Sequence, residues 1–387
     1  MTDVRVVNIC LVHDPVYAGL HRAVDDFARA LDAPIVSFDD GRRTLREGAD
    51  RTPVRRIACG NGWLTRDCHR ISARAKREAA RAVADADLLV VHSLFRAHAP
   101  WAARHAANHG IRYWAVPHGC LDPWGIRRRS IPKRIWMAFQ GRRYLESAER
   151  VIFSTRRERE KASPWLGRAR PTILNWPVEL PPLADADVAR RRFRHQLGVP
   201  DTDRLLLYVG RLHSMKRPLE IVLAFSEAAP SNCHLAVVGM DGDLTCADVR
   251  RAIPDGFANR IHLVGPLDGH DLSSAYLAAD GFISLSFREN FGYAAAEAVA
   301  FGIPVILSPG HDLAHEMPAR SGRLACGWLL ADDSRAAAVE ALREFGAATE
   351  SALGDAGQTG RRWAGDVLSF SRFQHTLHTM ANMRSNP

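Results

Sequence analysis

No uninterrupted apolar run in the 387 residues approaches the length a bilayer requires, so a membrane-spanning helix does not organise this chain. The seven cysteines are scattered and odd in number, which excludes a paired disulfide framework and fits buried, reduced thiols in a cytoplasm. Lysine is scarce: only 4 of the 52 basic residues are Lys and 48 are Arg. No export signal is expected, because the short run Val4 to Val12 contains Asn8 and is followed by His13 and Asp14, as a strand would be. The turn after that strand offers Gly19 alone, and Gly60-Asn61-Gly62 follows no clear strand, which argues against the Gly-x-Gly-x-x-Gly turn of a nicotinamide oxidoreductase. Despite a net charge of +9, no nucleic-acid-binding module is recognisable, and no nucleic-acid partner is expected.

What is present is an ordinary globular composition, 47% apolar and 25% charged, at a length that implies two domains. Residues 1–180 hold 32 Lys and Arg against 19 Asp and Glu, a balance of +13, while the remainder holds 20 against 24, a balance of −4. A basic half suits an anionic surface, a lipid-linked phosphate or nucleic acid, and equally a solvated Arg-rich surface. Strand-like runs at Val4–Val12, Ile35–Phe38, Leu88–His92, Tyr113–Pro117 and Arg150–Ser154 alternate with helical stretches at Leu20–Leu31, Thr65–Ala84, Trp101–His109 and Pro132–Ser147. The pattern breaks between residues 175 and 200, which reads as an interdomain linker, and resumes at Leu205–Val209, His234–Gly239, His262–Val264, Gly281–Leu285 and Val305–Leu307. A last helix is expected near Asp366–Met383. Alternation of this kind predicts an α/β protein with parallel sheets covered on both faces, ligands meeting them at the carboxyl ends of the strands.

Three clusters then stand at strand ends. Ser286-Phe287-Arg288-Glu289-Asn290-Phe291-Gly292 leads from a buried strand into an Ala-rich helix that carries Glu297. A helix N-terminus suits a diphosphate, and carboxylates at fixed offsets can accept hydrogen bonds from sugar hydroxyls. Gly210-Arg211 follows the Leu205–Val209 strand, with Lys216 five positions on; two such cations can neutralise a diphosphate. Pro117-His118-Gly119 ends a strand and sets an imidazole at the ligand-binding edge. His311 with His315, and His105 with His109, have the i, i+4 spacing of zinc ligands but no convincing third ligand, and no metal is expected. Asp85-Ala86-Asp87 precedes its strand and suits a solvated helix end. The run Arg127-Arg128-Arg129-Ser130-Ile131-Pro132-Lys133-Arg134-Ile135-Trp136-Met137-Ala138-Phe139 mixes cations with large apolar groups, as a segment lying on an anionic bilayer does, and as a core helix with an Arg-solvated entry does.

Glu289-Asn290-Phe291-Gly292, Glu297 and the following Ala300-Phe301-Gly302-Ile303-Pro304-Val305 resemble the Glu-x7-Glu signature of retaining glycosyltransferases, above all family 4. The resemblance implies the GT-B architecture: two Rossmann-like domains facing across a cleft, here residues 1–178 and 179–365, with a C-terminal helix, about 366–387, crossing back to the first. It implies Glu289 on the donor sugar, Glu297 on the nucleotide ribose, and Asn290, Phe291 and Gly292 beside them. It also implies Arg211 and Lys216 on the donor pyrophosphate and His118 near the reaction centre. The chain departs from the family at Arg217, where Gly often follows the Lys, at Gly19, where two glycines are usual, and at Gly310-His311, where a Gly-Gly turn precedes a Glu matched by Glu316. The implied activity is metal-independent, retaining hexosyl transfer from a nucleotide diphosphate sugar, with no cofactor, to a hydroxyl acceptor. Bacterial relatives sharing Pro117-His118-Gly119-Cys120-Leu121-Asp122-Pro123-Trp124 often build surface polysaccharides, so a lipid-linked or polysaccharide intermediate and the cytoplasmic membrane face are the candidate partners. A nucleotide-sugar epimerase or a phosphorylase-like enzyme on the same architecture is the alternative.

Overall fold

The computed structural model describes residues 4–14, 18–39, 52–60, 68–127, 130–179, 185–320 and 323–383. Residues 65–67 of the expected second helix, Asn61-Gly62, Arg128-Arg129 and Pro181-Pro182 lie outside these. Contacts divide the chain into two units, one of residues 1–177 with 370–387, the other of residues 178–369.

The first unit is built on β1 (Val6–Leu11), β2 (Ile35–Asp39), β3 (Val54–Ala58), β4 (Leu88–His92), β5 (Arg112–Val116), β6 (Arg150–Phe153) and β7 (Pro171–Ile173), all parallel, in the order β3-β2-β1-β4-β5-β6-β7. Every residue of β4 is buried, as expected of a central strand with helices on both faces. The strand order reverses direction between β1 and β4, so the carboxyl ends of that pair form the switch point where open α/β sheets bind ligands.

The second unit contains β8 (Arg204–Val209), β9 (Cys233–Val238), β10 (Ile261–Gly265), β11 (Gly281–Ser284), β12 (Val305–Leu307), the antiparallel pair β13 (Ala319–Arg320) and β14 (Arg323–Leu324), and β15 (Gly327–Leu329). Its main sheet is parallel with order β10-β9-β8-β11-β12-β15, and here the reversal lies between β8 and β11. Gly239 has no room for a side chain, since a Cβ there would sit 1.8 Å from the Gly210 carbonyl oxygen. That close approach draws the ends of β8 and β9 together.

Several expectations are corrected. β3 and β7 were not anticipated. β3 holds Arg55 and Arg56 on an edge, and β7 starts on Pro171 at the other edge, a position where a missing N–H is tolerated. The second helix runs Ala73–Ala82, not from Thr65, because Ser72 caps it by accepting from Ala75 N at 3.2 Å. The Pro132–Ser147 helix is Ser130–Trp136, a π-helical turn at Met137–Gly141, and Arg142–Ser147. A Cβ on Gly141 would fall 2.4 Å from the Trp136 ring, so the absent side chain lets that indole pack across the turn. The Arg-rich helix expected at the end of the linker is present as Ala186–Leu197, but it is folded into the second unit and not part of a linker: Arg194 is 1% exposed and donates to the Ala278 carbonyl at 3.1 Å and to Asp280 at 3.1 Å. The last helix is divided. Glu350–Val367 belongs to the second unit and Phe370–Asn382 to the first, where Phe373 meets Phe27 edge-on at 5.2 Å and Arg112 donates to the Ala381 carbonyl at 2.7 Å. No helix among the described residues is long and apolar enough to cross a membrane.

Candidate functional site

The switch point of the second sheet carries the signature residues. From β8 the chain passes through Gly210 and Arg211 to a single 3₁₀ turn, Ser214–Lys216. Gly210 does not take the left-handed conformation that a sharp glycine turn requires; Arg217 does, at φ 56°. The departure from the family pattern therefore falls where glycine would be least strained. Arg217 is held in place by its Nη2, which donates to the Asp333 carbonyl at 3.0 Å, and by ion pairs with Glu220 and Asp333.

From β11 the chain runs to Glu289, whose backbone joins the segment after β12: Glu289 N donates to the Gly310 carbonyl at 2.9 Å and Asp312 N to the Glu289 carbonyl at 2.9 Å. The Glu289 carboxylate then receives the Lys216 ammonium in a half-buried ion pair. Burial and, second, the Arg211 guanidinium pull the Lys216 pKa down to about 8. Contact with Glu289 favours the charged form, so the pair is ionic at neutral pH. Arg211 itself is exposed.

Gly292, at φ 75°, opens the helix Tyr293–Ala300. A Cβ there would lie 2.8 Å from Glu289 Cγ and 3.2 Å from His311 Nδ1, so glycine is required both by the backbone and by its neighbours. Phe291 is buried beneath this turn and Asn290 is half-buried beside it. Glu297 lies on the second turn of the helix and accepts from the Tyr276 hydroxyl at 2.8 Å. His311 sits 2% exposed under the loop, its Nε2 2.9 Å from Ser284 Oγ. Burial, then Lys216, pushes its pKa down to about 3, so the ring is neutral and adds no charge beside the ammonium.

The first unit has its own cluster at the β1/β4 switch point. His118 follows β5 in the left-handed region, φ 49°, with Gly119 at φ 74°. Non-glycine residues held there are uncommon and gather at functional sites. Glu158 holds the loop, accepting from Gly119 N at 2.7 Å and from Ser154 N and Oγ at 2.8 Å. His118 stacks on His92, ring centroids 5.2 Å apart, with its Nε2 2.9 Å from His92 Nδ1. His92 Nε2 is 3.1 Å from Asn8 Oδ1, and an amide oxygen only accepts. The proton order follows: His92 donates from Nε2 to Asn8 and accepts at Nδ1 from His118 Nε2–H. His98 Nε2 donates to the His92 carbonyl at 2.8 Å. Burial alone lowers the His118 pKa to about 3, and burial chiefly takes His92 well below its ordinary value.

The sequence reading missed His92, Asn8, Glu158 and Tyr276, and it noted His311 only as a departure from the family turn and as one of a histidine pair. His92, as the last residue of a strand, carries the signal that singled out His118; Asn8, Glu158 and Tyr276 had none. Gly19 is exposed within the helix Ala18–Ala30 instead of the turn before it, and residues 15–17 of that turn are outside the described set. Asp85 and Asp87 pair with Arg5 just before the amino ends of β1 and β4, away from the ligand edge. The His105 and His109 rings lie 4.2 Å apart and tilted, and neither this pair nor His311 with His315 gains a third ligand among the described residues. One group there could hold a metal ion: His13, His21 and Asp25, whose ligand atoms lie within 4.8 Å of one another. Asp25 already bonds both rings, His13 Nε2 at 2.8 Å and His21 Nδ1 at 3.2 Å.

Residues 18–176 match the glycosyl transferase 4-like domain and residues 189–360 match glycosyl transferases group 1. A D-inositol 3-phosphate glycosyltransferase of Xylanimonas cellulosilytica is 28% identical over 310 residues, 73% of this chain and 70% of the relative. The Anabaena protein Alr3699/HepE, solved with UDP and glucose, superimposes with a TM-score of 0.77 at 15% identity, covering 98% of this chain and all of that one. WaaG, a glycosyltransferase involved in lipopolysaccharide biosynthesis, gives 0.70 at 18% identity, covering 98% of this chain and 100% of that one. With one glycosyltransferase family matched on each unit and both sheets built in the same way, the chain belongs to the glycosyltransferases of family 4 type, with the α/β GT-B fold.

Proposed function

We propose that this glycosyltransferase moves a hexose from a nucleotide diphosphate sugar to a hydroxyl acceptor with retention of anomeric configuration and without a metal ion, the acceptor being a lipid-linked or polysaccharide intermediate of cell-surface glycan synthesis. The observation that carries the reading is the Lys216–Glu289 ion pair at the β8/β11 switch point, beside the helix that opens at Gly292. In the reaction the bond from the anomeric carbon to the diphosphate breaks, the carbon gains positive character, and the diphosphate leaves as an anion. Lys216, Arg211 and the helix N–H groups match the leaving charge, and fixed donors of this kind are usually the largest catalytic term. Glu289 orients the sugar hydroxyls and Glu297 the ribose. The acceptor hydroxyl attacks from the face the diphosphate leaves, and the departing phosphate oxygen takes its proton, so no protein nucleophile is assigned. His118, neutral and donating from Nε2 into the protein, keeps Nδ1 as an acceptor for a sugar hydroxyl.

Support for a nucleotide sugar donor comes from the GT-B neighbour solved with UDP and glucose, and for a surface glycan from the fold likeness to a lipopolysaccharide enzyme. The cytoplasmic membrane face is the proposed working surface. Thermal-shift measurement with UDP-, GDP-, ADP- and dTDP-sugars tests the donor, because a ligand that binds only the native state raises its apparent stability. Product NMR after transfer to an acceptor tests retention. No stabilisation by any of the four, or an inverted anomer, would reject the corresponding part of the reading.

A further inference from the structure

A concavity of about 550 Å³ lies in the first unit, between the segments that follow β3 and β4. Arg70, Lys76, Arg96 and Arg104 line it, and among the described residues no carboxylate does. Among the described residues none of these four makes an ion pair, whereas Arg5, Arg55, Arg112, Arg142 and Lys161 of the same unit all do. The Arg96 Nε is buried with no hydrogen-bond partner among the described residues, while its Nη1 donates to the Phe95 carbonyl at 3.1 Å. The helix His98–His109 starts at this cavity with Ala97 in the capping position and no side-chain cap, so its first N–H groups add positive potential to the four cations. Like charges drawn around one hollow repel one another, and an anion relieves that repulsion.

We propose that this cavity binds a phosphate group bearing two or more negative charges, a monoester dianion or a diphosphate, carried by the acceptor. The assignment of the phosphate to the acceptor rests on the glycosyltransferase reading given above; the phosphate site itself does not. Guanidinium groups suit phosphate through paired, charge-assisted hydrogen bonds, and Arg96 has an Nε–H to offer. The surroundings fit an amphiphile. Trp136 and Gln140 line the cavity, and on the same helical run Ile131, Ile135 and Phe139 are 70%, 54% and 77% exposed at successive spacings of four residues. Lys133 and Arg134 lie between them in sequence. An apolar stripe flanked by cations is the pattern of a segment resting on an anionic bilayer. A water-soluble phosphorylated acceptor would satisfy the cavity without the stripe, so the two sources need separate arms.

In the first arm the full chain carrying Lys216→Ala, which weakens the diphosphate site proposed for the second unit, is titrated with inorganic pyrophosphate by calorimetry. Saturable binding persists, and Arg70→Gln with Arg104→Gln, both at exposed positions, weakens it by about tenfold per guanidinium removed, as does Arg96→Gln alone. Absence of saturable binding, or unchanged affinity in the Arg70/Arg104 double variant, overturns the proposal. UDP binding, measured with Lys216 intact, stays at the wild-type level in the double variant. If wild-type protein binds pyrophosphate through the cavity but binds no UDP, the cavity stands and the donor reading falls. In the second arm, phosphatidylcholine vesicles containing phosphatidic acid, or phosphatidylglycerol at matched charge, are floated with the protein. Capture specific to phosphatidic acid and lost in the double variant assigns the phosphate to a lipid. Capture by neither, with pyrophosphate binding intact, assigns it to a soluble acceptor. Capture that survives the double substitution overturns the lipid assignment.

Discussion

The two sheets present their switch points with opposite electrical character. Behind β8 and β11 stands an ion pair, Lys216 with Glu289, and an exposed Arg211. Behind β1, β4 and β5 stand neutral imidazoles: His92, His98 and His118, bonded to one another, to Asn8 and to a backbone carbonyl. A half-buried ammonium keeps its charge because a carboxylate touches it; a buried imidazole with only neutral partners gives its charge up. The difference suggests a division of labour. On the proposed reading, the second unit would meet the charge that develops when a diphosphate leaves, and the first would supply fixed hydrogen-bonding geometry, with its cations set apart at Arg70, Lys76, Arg96 and Arg104.

The comparison breaks most sharply at the ion pair. Lys216→Ala and Glu289→Ala should each lower transfer by about a hundredfold to a thousandfold, the usual loss for one preorganised charge-stabilising group, while circular dichroism shows the fold retained. Near-normal initial rates in either variant would remove that residue from the mechanism. Gly292→Ala should follow. It forces an Ala into the left-handed region at a cost of about 1–2 kcal/mol, and its methyl displaces Glu289 or His311. Denaturant unfolding and donor titration together would show both losses; a variant with wild-type donor affinity would mean the loop adjusts freely.

How much of this was legible beforehand follows from the range of each interaction. Glu289, Glu297, Arg211 and Lys216 were found because their chemistry is concentrated in two short segments at strand ends. The Lys216–Glu289 contact itself joins positions 73 apart and left no local trace. The same is true of His92 with His118, 26 apart, and of Tyr276 with Glu297 across two helices. The β3 strand was invisible because Arg55 and Arg56 on an edge spoil the apolar run by which buried strands are recognised. The supposed linker failed for another reason. Its prolines and aspartates marked a break, but the Arg-rich helix after them packs into the second unit through Arg194, buried and satisfied by carbonyls and Asp280, a tertiary arrangement that composition does not reveal.

Acidity sharpens the contrast further. Donor affinity should hold below pH 8 and fall above it, by up to about tenfold per pH unit, as the Lys216 ammonium loses the proton that a diphosphate requires. Calorimetric titration between pH 7 and 9.5 checks this, and an affinity flat across that range would place the diphosphate elsewhere. The imidazoles act on stability in the other direction of pH. Unfolded, each takes up a proton near 6.5; folded, His98 waits until about 4 and His118 until about 3. The unfolded chain therefore binds more protons in that window, and stability falls as pH drops from 6.5 toward 4. His118→Asn, which tolerates the left-handed backbone, should shift the acid unfolding midpoint to lower pH; an unchanged midpoint would mean the imidazole is not held neutral. Arg217→Gly should have the smallest effect, within about 1 kcal/mol, since relief of the left-handed strain offsets the lost contacts with Glu220 and Asp333.

The most direct test is a thermal titration with the nucleotide sugar selected from the four-base panel, on wild-type protein and on Lys216→Ala. At about a hundred times the dissociation constant, the donor should stabilise the wild type by about 2.7 kcal/mol, and at the same concentration the variant should gain little. Equal stabilisation of both proteins would show that the donor diphosphate is not held by Lys216 and would contradict the account at its centre.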